Sequence, residues 1–366
     1  MGKDSMSKYG RFDVSLPKPV FAPGEQVNGV IYLDLLMDFP SSHITLKLEG
    51  KEKIKYWVSR QQYDYTDQNG QQHYRTVYES RSDSHKCFKY EFPCASFNGE
   101  FVPAGQYQIP FSFSLPEDIP STFYYKWHNM GDCYAKIHYS AKVKLESNGN
   151  DKDLLKDQFD IVINAAQKHL INQERVDINK DIVSCCCIKK GKFKMTSYFE
   201  KNAYMPGQTA YLVVEAENNS SAQCISISGN FTQSLKIKGG AGETKHLTSV
   251  KAPGLAPGEK YVGQDAKRLE IPLSGTRIKG GDDVGTSNTS VNGKLIQCNY
   301  YVSAQTEMDA CICCDEHPVS EIYINLYNAV PPVSRKFKPP QSWAPQIMDP
   351  YVANFLPEFN IEVKEG

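Results

Sequence analysis

Apolar and polar residues alternate with a period of two along most of this chain, and turn residues interrupt the alternation at short intervals. The longest clean example covers 134–146, where apolar side chains occupy the odd positions and Lys, His or Ser occupies nearly every even one. This alternation is typical of a strand with one face on a core and the other in water. The pattern predicts antiparallel β structure.

The segment 101–123 shows how the strands are delimited. Residues 103–105, Pro-Ala-Gly, supply a turn, and an alternating aromatic and aliphatic series follows at 109–115. Pro116 and Pro120 then end the strand, because proline has no N–H to donate to a β-ladder. By contrast, residues 59–86 carry little apolar content, so we expect a long mobile hairpin loop there.

The chain also repeats itself. The run VFAPGEQVNGVIYLDL at 20–35 is echoed by AYMPGQTAYLVVEAEN at 203–218, and 255–273 echoes the segment 101–115. Two divergent copies of one sandwich explain this order. The prediction is an all-β protein of two tandem antiparallel β-sandwich, immunoglobulin-like domains with a disordered C-terminal tail. The expected parts are a first sandwich at 8–165, a connector at 166–190, a second sandwich at 191–328 and a tail at 329–366.

The charge and the apolar content of the chain limit the kinds of partner that it can bind. The 366 residues carry 41 Lys and Arg against 42 Asp and Glu, for a net charge of −1. A balanced charge does not favour nucleic acid, so any electrostatic partner must meet a local patch. No apolar run reaches the roughly 18 residues of a membrane span, and the first residues lack the apolar core of a signal peptide. We therefore expect a cytoplasmic protein.

Signals for catalysis are missing from the sequence. It contains no GxSxG, HExxH or GxxxxGK[ST] pattern, and its eight His are scattered. An active site needs converging nucleophile, base and oxyanion donors, paired carboxylates or metal ligands. We expect neither catalytic residues nor a cofactor.

The polar face of 134–146 is the main candidate site. Lys136, His138, Lys142 and Lys144 share that face, and side chains two apart on a strand lie roughly 6 to 7 Å from each other. Such a row suits phosphates or acidic side chains on an extended peptide. The alternative is a solvated sheet face without a ligand. Arg11 and Lys18 are candidate additions to the same site.

Six of the eleven Cys fall in two clusters, which allow three interpretations. Cys185, Cys186 and Cys187, beside several Lys, can begin a buried strand or carry acyl chains next to a basic patch, which would hold the protein peripherally on a membrane. The third interpretation is a zinc site shared with the second cluster, although its CxCC spacing lacks the usual two-residue gap. The ligands that the second cluster would add to that site are Cys311, Cys313, Cys314 and His317.

These motifs together resemble the arrestin family, in the alpha-arrestin or arrestin-domain-containing branch. The resemblance rests on PAG at 103–105, IPFSFSLP at 109–116, IPSTF at 119–123 and YMPGQ at 204–208, and it covers roughly residues 10 to 328. It implies an adaptor that binds cytoplasmic segments of membrane proteins and links them to endocytic or endosomal trafficking. In arrestins the strand matching 134–146 contributes to recognition of phosphorylated receptor tails. The sequence shows no clear equivalent of the buried charged cluster that latches visual and beta-type arrestins.

Short motifs in the tail indicate which trafficking proteins could bind it. Many alpha-arrestins recruit WW-domain ubiquitin ligases through PPxY, and no PPxY occurs here. Asp349, Pro350 and Tyr351 are close to the DPF or DPW type that binds clathrin adaptors. An alternative function is a structural subunit of a retromer-like sorting coat, and a third, a metal-dependent redox protein, rests on the cysteines alone.

Overall fold

The computed structural model describes most of the chain as β structure, which confirms the all-β class. In the described residues, the regular backbone structure is strand, apart from short 3-10 turns such as Gly263–Asp265. The strands assemble into four sheets, two in each half of the chain. The described residues are 8–18, 20–127, 132–147, 154–165, 175–184, 188–201, 203–240, 242–273, 288–309, 317–327, 337, 339 and 342–353.

The first sandwich consists of two sheets that face each other across a common core. The first sheet contains β1 (Gly10–Ser15), β3 (Gln26–Leu35) and β6 (Gly105–Ser114). The second sheet contains β2 (Val20–Phe21), β4 (His43–Thr66), β5 (Gln72–Ser96), β7 (Phe123–Lys126), β8 (Tyr134–Glu146) and β9 (Leu154–Ile163).

The second sandwich repeats this plan. The third sheet contains β10 (Arg175–Ser184), β11 (Ile188–Phe199), β13 (Thr209–Ser220), β16 (Lys260–Tyr261) and β17 (Lys267–Pro272). The fourth sheet contains β12 (Ala203–Tyr204), β14 (Cys224–Ile237), β15 (Glu243–Pro253), β18 (Val291–Asn292), β19 (Ile296–Met308) and β20 (Val319–Leu326). Strand β10 lies inside the segment expected to be a connector, and it pairs with β11 along its whole length.

Strict alternation along β8 decides which of its faces is buried. The odd positions from Ala135 to Leu145 are fully buried, and the even positions remain partly open to solvent. The ring of Tyr139 stacks on Phe88 at a centroid distance of 5.8 Å, and its hydroxyl donates to the Pro120 carbonyl at 2.7 Å. Burying this large amphipathic side chain is favourable because its polar end has a partner.

Residues 59–86 form paired strand and not the expected mobile loop. Strands β4 and β5 pair from His43↔Ser96 to Thr66↔Gln72 and make one long hairpin. Its outer half leaves both faces exposed, including Tyr63, Tyr74 and Tyr78. Because no face of this half is buried, its sequence needs no apolar alternation, and the pattern that identifies half-buried strands is missing.

Part of the tail adds two short strands to the first sheet. Strands β21 (Gln346–Ile347) and β22 (Tyr351–Ala353) run parallel to β6 and cover its edge. The Met348 amide donates to the Gln108 carbonyl at 3.0 Å. The sequence predicts an irregular tail here, and 342–353 instead lies on the sheet, because an edge strand offers unpaired N–H and C=O groups.

Candidate functional site

The outward face of the second sheet collects basic side chains from four neighbouring strands. On β8, Lys136 lies opposite Lys53 of β4, His138 opposite Lys51, and Lys142 opposite Lys47. Directly opposite residues of an antiparallel pair have Cβ atoms about 4.5 to 5.5 Å apart. Strands β5 and β9 extend this surface. We call it the basic face, and its residues are Lys47, Lys51, Lys53, Lys55, Lys86, Lys89, Lys136, His138, Lys142, Lys144 and Lys156.

The lysines of β4 are not among the site residues predicted from the sequence. A signal was present, because Lys47, Lys51, Lys53 and Lys55 recur at even spacing opposite an apolar series that begins at Ile44. The sequence does not show that β4 and β8 are neighbours, because about ninety residues separate them and they meet only in the sheet.

Acidic residues neutralise only part of the basic face. Lys51 pairs with Glu49 at 2.7 Å, and His138 Nε2 lies 3.2 Å from Asp160 Oδ1. Lys144 contacts Glu146 at 2.9 Å. Within the described residues, no carboxylate lies within ion-pair distance of Lys47, Lys53, Lys136 or Lys142. These four ammonium groups are therefore available to an external anion.

The pKa values on this face respond to the accumulated positive charge. Burial lowers the pKa of the Lys142 ammonium, and the charges of Lys144 and Lys156 lower it further. Burial also lowers the pKa of His138, and the attraction of Asp160 does not offset this effect. Burial would raise the pKa of Glu49, but the hydrogen bond and charge of Lys51, together with other lysines, lower it overall.

A shallow depression of about 460 Å³ lies at one end of the basic face. Lys51, Lys53, Lys136 and His138 line it together with Glu49, which pairs with Lys51, and Tyr124 and Tyr134 form an aromatic border. A depression with several ammonium groups and aromatic walls suits a phosphate or a carboxylate on a peptide side chain, because charge-assisted hydrogen bonds to oxygen anions are the strong ones.

The structure does not bring Arg11 and Lys18 to the basic face. Arg11 lies on β1 in the first sheet, where it pairs with Asp13 and packs over the ring of Phe337. Lys18 pairs with Glu25 and lies over Phe21. Neither residue belongs to the four strands that form the basic face, so neither extends that surface.

The proposed adaptor motif is also in contact with the first sheet. Tyr351 stacks on Phe92 at 5.5 Å and pairs with Phe111 along β6, while Pro350 lines a groove beside β3. Asp349 lies in the same segment and is exposed. With its tyrosine ring covered in this way, the motif is not presented as a free extended peptide.

The cysteine clusters fall mostly outside the described residues. Cys185, Cys186 and Cys187 lie there, and so do Cys311, Cys313 and Cys314. His317 is described, and its Nδ1 accepts a hydrogen bond from the Met308 amide at 3.2 Å. Among the described side chains, no three His, Cys, Asp or Glu residues come together as metal ligands.

The cysteines that the structure does describe are free thiols. Burial raises the pKa of Cys94 to about 12 and that of Cys298 to about 11. A thiol reacts through its thiolate, so these two side chains pack as small apolar groups, and a redox role gains no support from them.

Comparisons with known proteins agree with this architecture. The family model described as "Arrestin (or S-antigen), N-terminal domain" matches residues 10–169, and the model described as "Arrestin (or S-antigen), C-terminal domain" matches residues 189–330.

No helix in the described part of the chain has both the length and the apolar character to cross a membrane.

Several relatives are arrestin domain-containing proteins. The chain is 27% identical over 232 residues to Arrestin domain-containing protein A of Dictyostelium discoideum, covering 62% of this chain and 38% of that protein. It is 21% identical to Arrestin domain-containing protein 17 of Caenorhabditis elegans, over 73% of this chain and 63% of the relative. Bovine Arrestin domain-containing protein 5 is 29% identical over 34% of this chain and 36% of its own length.

The chain thus spans less than two thirds of the length of each of these relatives. Both halves of the arrestin architecture are nevertheless present, in the expected order and each with two sheets. The chain belongs to the arrestin family, in the branch of the arrestin domain-containing proteins.

Proposed function

We propose that this protein is a non-enzymatic cytoplasmic adaptor that binds acidic or phosphorylated cytoplasmic segments of membrane proteins and links them to endocytic or endosomal trafficking. The observation that carries the proposal is the basic face. An extended peptide laid along β8 meets ammonium groups on both sides, from β4 and from β9. Arrestin-family proteins are generally adaptors, which agrees with this use of the surface.

The chemistry of the basic face favours a multiply charged anion. One exposed ion pair contributes little, because water and salt screen it. Several unpaired lysines on one rigid sheet act together, since the sheet holds them in place before the ligand arrives. We expect a peptide with several phosphates to bind more tightly than its unphosphorylated form.

The test changes Lys136, Lys142 and Lys144 together to Gln. Each lost contact is expected to weaken binding by about 1 kcal/mol, so the loss of three raises the dissociation constant roughly a hundredfold. The probe is a fluorescent peptide with three phosphoserines, compared with its alanine counterpart by fluorescence anisotropy at several salt concentrations. The slope of affinity against salt also falls, because fewer charges take part.

A second triple variant removes the same charge elsewhere. Lys236, Lys238 and Lys260 are exposed on the second sandwich, and their change to Gln should leave peptide affinity and its salt dependence as in the parent. If both triple variants weaken binding equally, total charge and not the basic face governs the interaction. If neither weakens it, the basic face is a solvated sheet surface.

We also propose that one or more of Cys185, Cys186 and Cys187 is acylated, giving a peripheral membrane attachment. On either side of the triplet, Ser184 and Ile188 pair across the β10–β11 hairpin. The side chains of Ile188 and Lys189 are exposed and provide an apolar and basic flank. One acyl chain plus a basic patch supplies the two signals that stable membrane residence needs. Acyl-exchange labelling in cells should fall when all three become Ser, and unchanged labelling would contradict the proposal.

A further inference from the structure

Glu52 is the one fully buried charged side chain among the described residues. It lies on β4 between Lys51 and Lys53 of the basic face, and its own side chain points inward with 1% exposure. Burying a carboxylate costs several kcal/mol unless hydrogen-bond donors replace the lost water. The hydrogen-bond donors that contact the Glu52 carboxylate are therefore needed to keep it buried.

Both partners of Glu52 come from the second sandwich. The Lys294 amide donates to Oε1 at 2.9 Å, and the Leu295 amide donates to Oε2 at 2.8 Å. These two consecutive N–H groups lie in the turn between β18 and β19, which a bond from the Gly293 amide to the Ile296 carbonyl closes at 2.8 Å. Hydrogen bonds to an ionised acceptor are stronger than neutral ones.

The turn has no space for a side chain at its first position. A Cβ placed on Gly293 would lie 2.5 Å from Glu52 Oε2, well inside van der Waals contact. The absence of a side chain thus allows the backbone to approach the carboxylate. Gly293, Lys294 and Leu295 together enclose the end of the Glu52 side chain.

Other contacts connect the two sandwiches. The Tyr125 hydroxyl donates to Glu243 Oε2 at 2.7 Å, and the Lys245 ammonium donates to the same hydroxyl. Tyr56 of β4 packs against Gly239, where a Cβ would lie 2.7 Å from the tyrosine oxygen. Polar groups of both sandwiches thus meet at this interface, and Glu52 is the buried charged side chain among them.

We propose that Glu52 and the 293–295 turn form a clasp that sets the orientation of the second sandwich relative to the first. If the turn withdraws, the Glu52 carboxylate loses both of the donors that satisfy it and must be hydrated again. The two sandwiches therefore cannot separate at this turn without breaking the hydrogen bonds of Glu52. Because the donors are backbone amides, shortening the Lys294 or Leu295 side chain leaves them in place, and Glu52 supplies the one side chain of these two hydrogen bonds.

The first test is Glu52→Gln, which keeps the shape but places an NH2 group against a backbone donor. Amide hydrogen exchange, followed by mass spectrometry, should become at least about tenfold faster in peptides that contain Lys294 and Leu295, the factor for one such bond of about 1.4 kcal/mol. Peptides from the cores of β8 and β14 should keep their protection. Glu49→Gln, on the outward face of the same strand, is the matched control and should leave the turn unchanged.

The second test is Gly293→Ala, which places a methyl group against the carboxylate without changing the first sandwich. It should accelerate exchange in the same peptides and change the small-angle X-ray scattering profile, because the sandwiches no longer hold one orientation. Gly242→Ala is its control, since a Cβ there makes only ordinary contacts. The clasp is refuted if Gly293→Ala leaves turn exchange and scattering as in the parent, or if either variant accelerates exchange equally in both cores. These tests remain decisive if Glu52→Gln fails to fold.

Discussion

At the scale of single residues, the basic face shows how position on a sheet changes the chemistry of an ordinary side chain. Lys142 and His138 are partly desolvated and stand among other cations, so both hold their protons less tightly than in water. An anion that binds beside them restores the lost stabilisation of the charged form. Binding and proton uptake are therefore linked at this site.

This linkage predicts a pH dependence with a definite sign. Since the pKa of His138 in the free protein lies below 6.5 and a bound anion raises it, affinity should increase as the pH falls through that region. For a sulfotyrosine peptide, whose own charge stays constant, we expect the increase to be about two- to fivefold, the effect of one exposed charge pair of about 0.5 to 1 kcal/mol.

The variant His138→Gln isolates this contribution. Anisotropy titrations between about pH 7 and about pH 5 should show a smaller increase for the variant than for the parent, because nearby carboxylates titrate in both. An identical pH profile for the two proteins would show that His138 takes no part in binding.

At the scale of elements, the long β4–β5 hairpin has two halves with different roles. Near the sandwich its inward residues, such as Ile54, are buried, whereas Tyr63 and Tyr74 towards the far end are more than half exposed. Stability comes mainly from buried apolar surface, so the two halves contribute unequally to folding. The outer half is a projecting ribbon held by its own cross-strand pairs.

This difference predicts that the outer half can be removed at little cost. A variant in which Asn-Gly replaces 60–77 joins the paired residues Ser59 and Tyr78 by a short turn. Its free energy of unfolding, measured by urea denaturation, should lie within about 1 kcal/mol of the parent value. Ile54→Ala, in the inner half, should cost about 2 to 4 kcal/mol. A deletion as costly as Ile54→Ala would show that the outer half supports the fold.

The tail strands β21 and β22 are held on the first sheet partly by aromatic side chains. Phe337 stacks on Tyr32 at 4.0 Å, and Trp343 meets both rings edge-on at 6.0 and 5.0 Å. These aromatic contacts come just before β21 and hold the tail beside β6. The strand pairs alone are short, so the aromatic cluster supplies much of the attachment.

We therefore predict that changing Phe337 and Trp343 to Ala releases β21 and β22. Each aromatic pair contributes about 0.5 to 1.5 kcal/mol, so amide exchange in 346–353 should become roughly tenfold faster. Ile347→Ala is the control, because that side chain is 70% exposed and points away from the sheet. Unchanged exchange in the double variant would mean that strand pairing alone holds the tail.

At the scale of the whole molecule, charge is separated although the total is nearly zero. The basic face concentrates lysines on one sheet of the first sandwich, while the whole chain has a net charge of −1. The electric field close to a surface depends on local charges, because screening at physiological salt acts over about 8 Å. A nearly neutral protein can therefore present a strongly attractive surface to an anion.

This separation predicts retention on a sulfonate cation-exchange resin at neutral pH and low salt. Changing Lys136, Lys142 and Lys144 to Gln should shift elution to clearly lower salt. The variant with Lys236, Lys238 and Lys260 changed to Gln has the same net charge and should elute close to the parent. Equal shifts in the two variants would indicate that the basic face does not dominate the surface potential.

The sequence by itself determined the class of fold, the two-copy order and one strand of the candidate site. Alternation with a period of two is local, and it states which side chains of β8 are buried without reference to any other strand. The same local rule placed Lys136, His138, Lys142 and Lys144 on one surface. Turn residues are equally local, which is why Pro and Gly delimit the strands correctly around 101–123.

Tertiary structure alone decided which strands are neighbours. Pairing of β4 with β8 brings two rows of lysines together, while pairing of β1 with β3 places Arg11 in a different sheet. The outer hairpin and the tail strands are held by cross-strand pairs and an open edge, neither of which requires an apolar pattern. In the sequence, Glu52 is one polar residue between two lysines. It is buried because a turn more than two hundred residues away covers its carboxylate and donates hydrogen bonds to it. Contacts this distant in sequence leave no local periodicity, so only the folded chain reveals them.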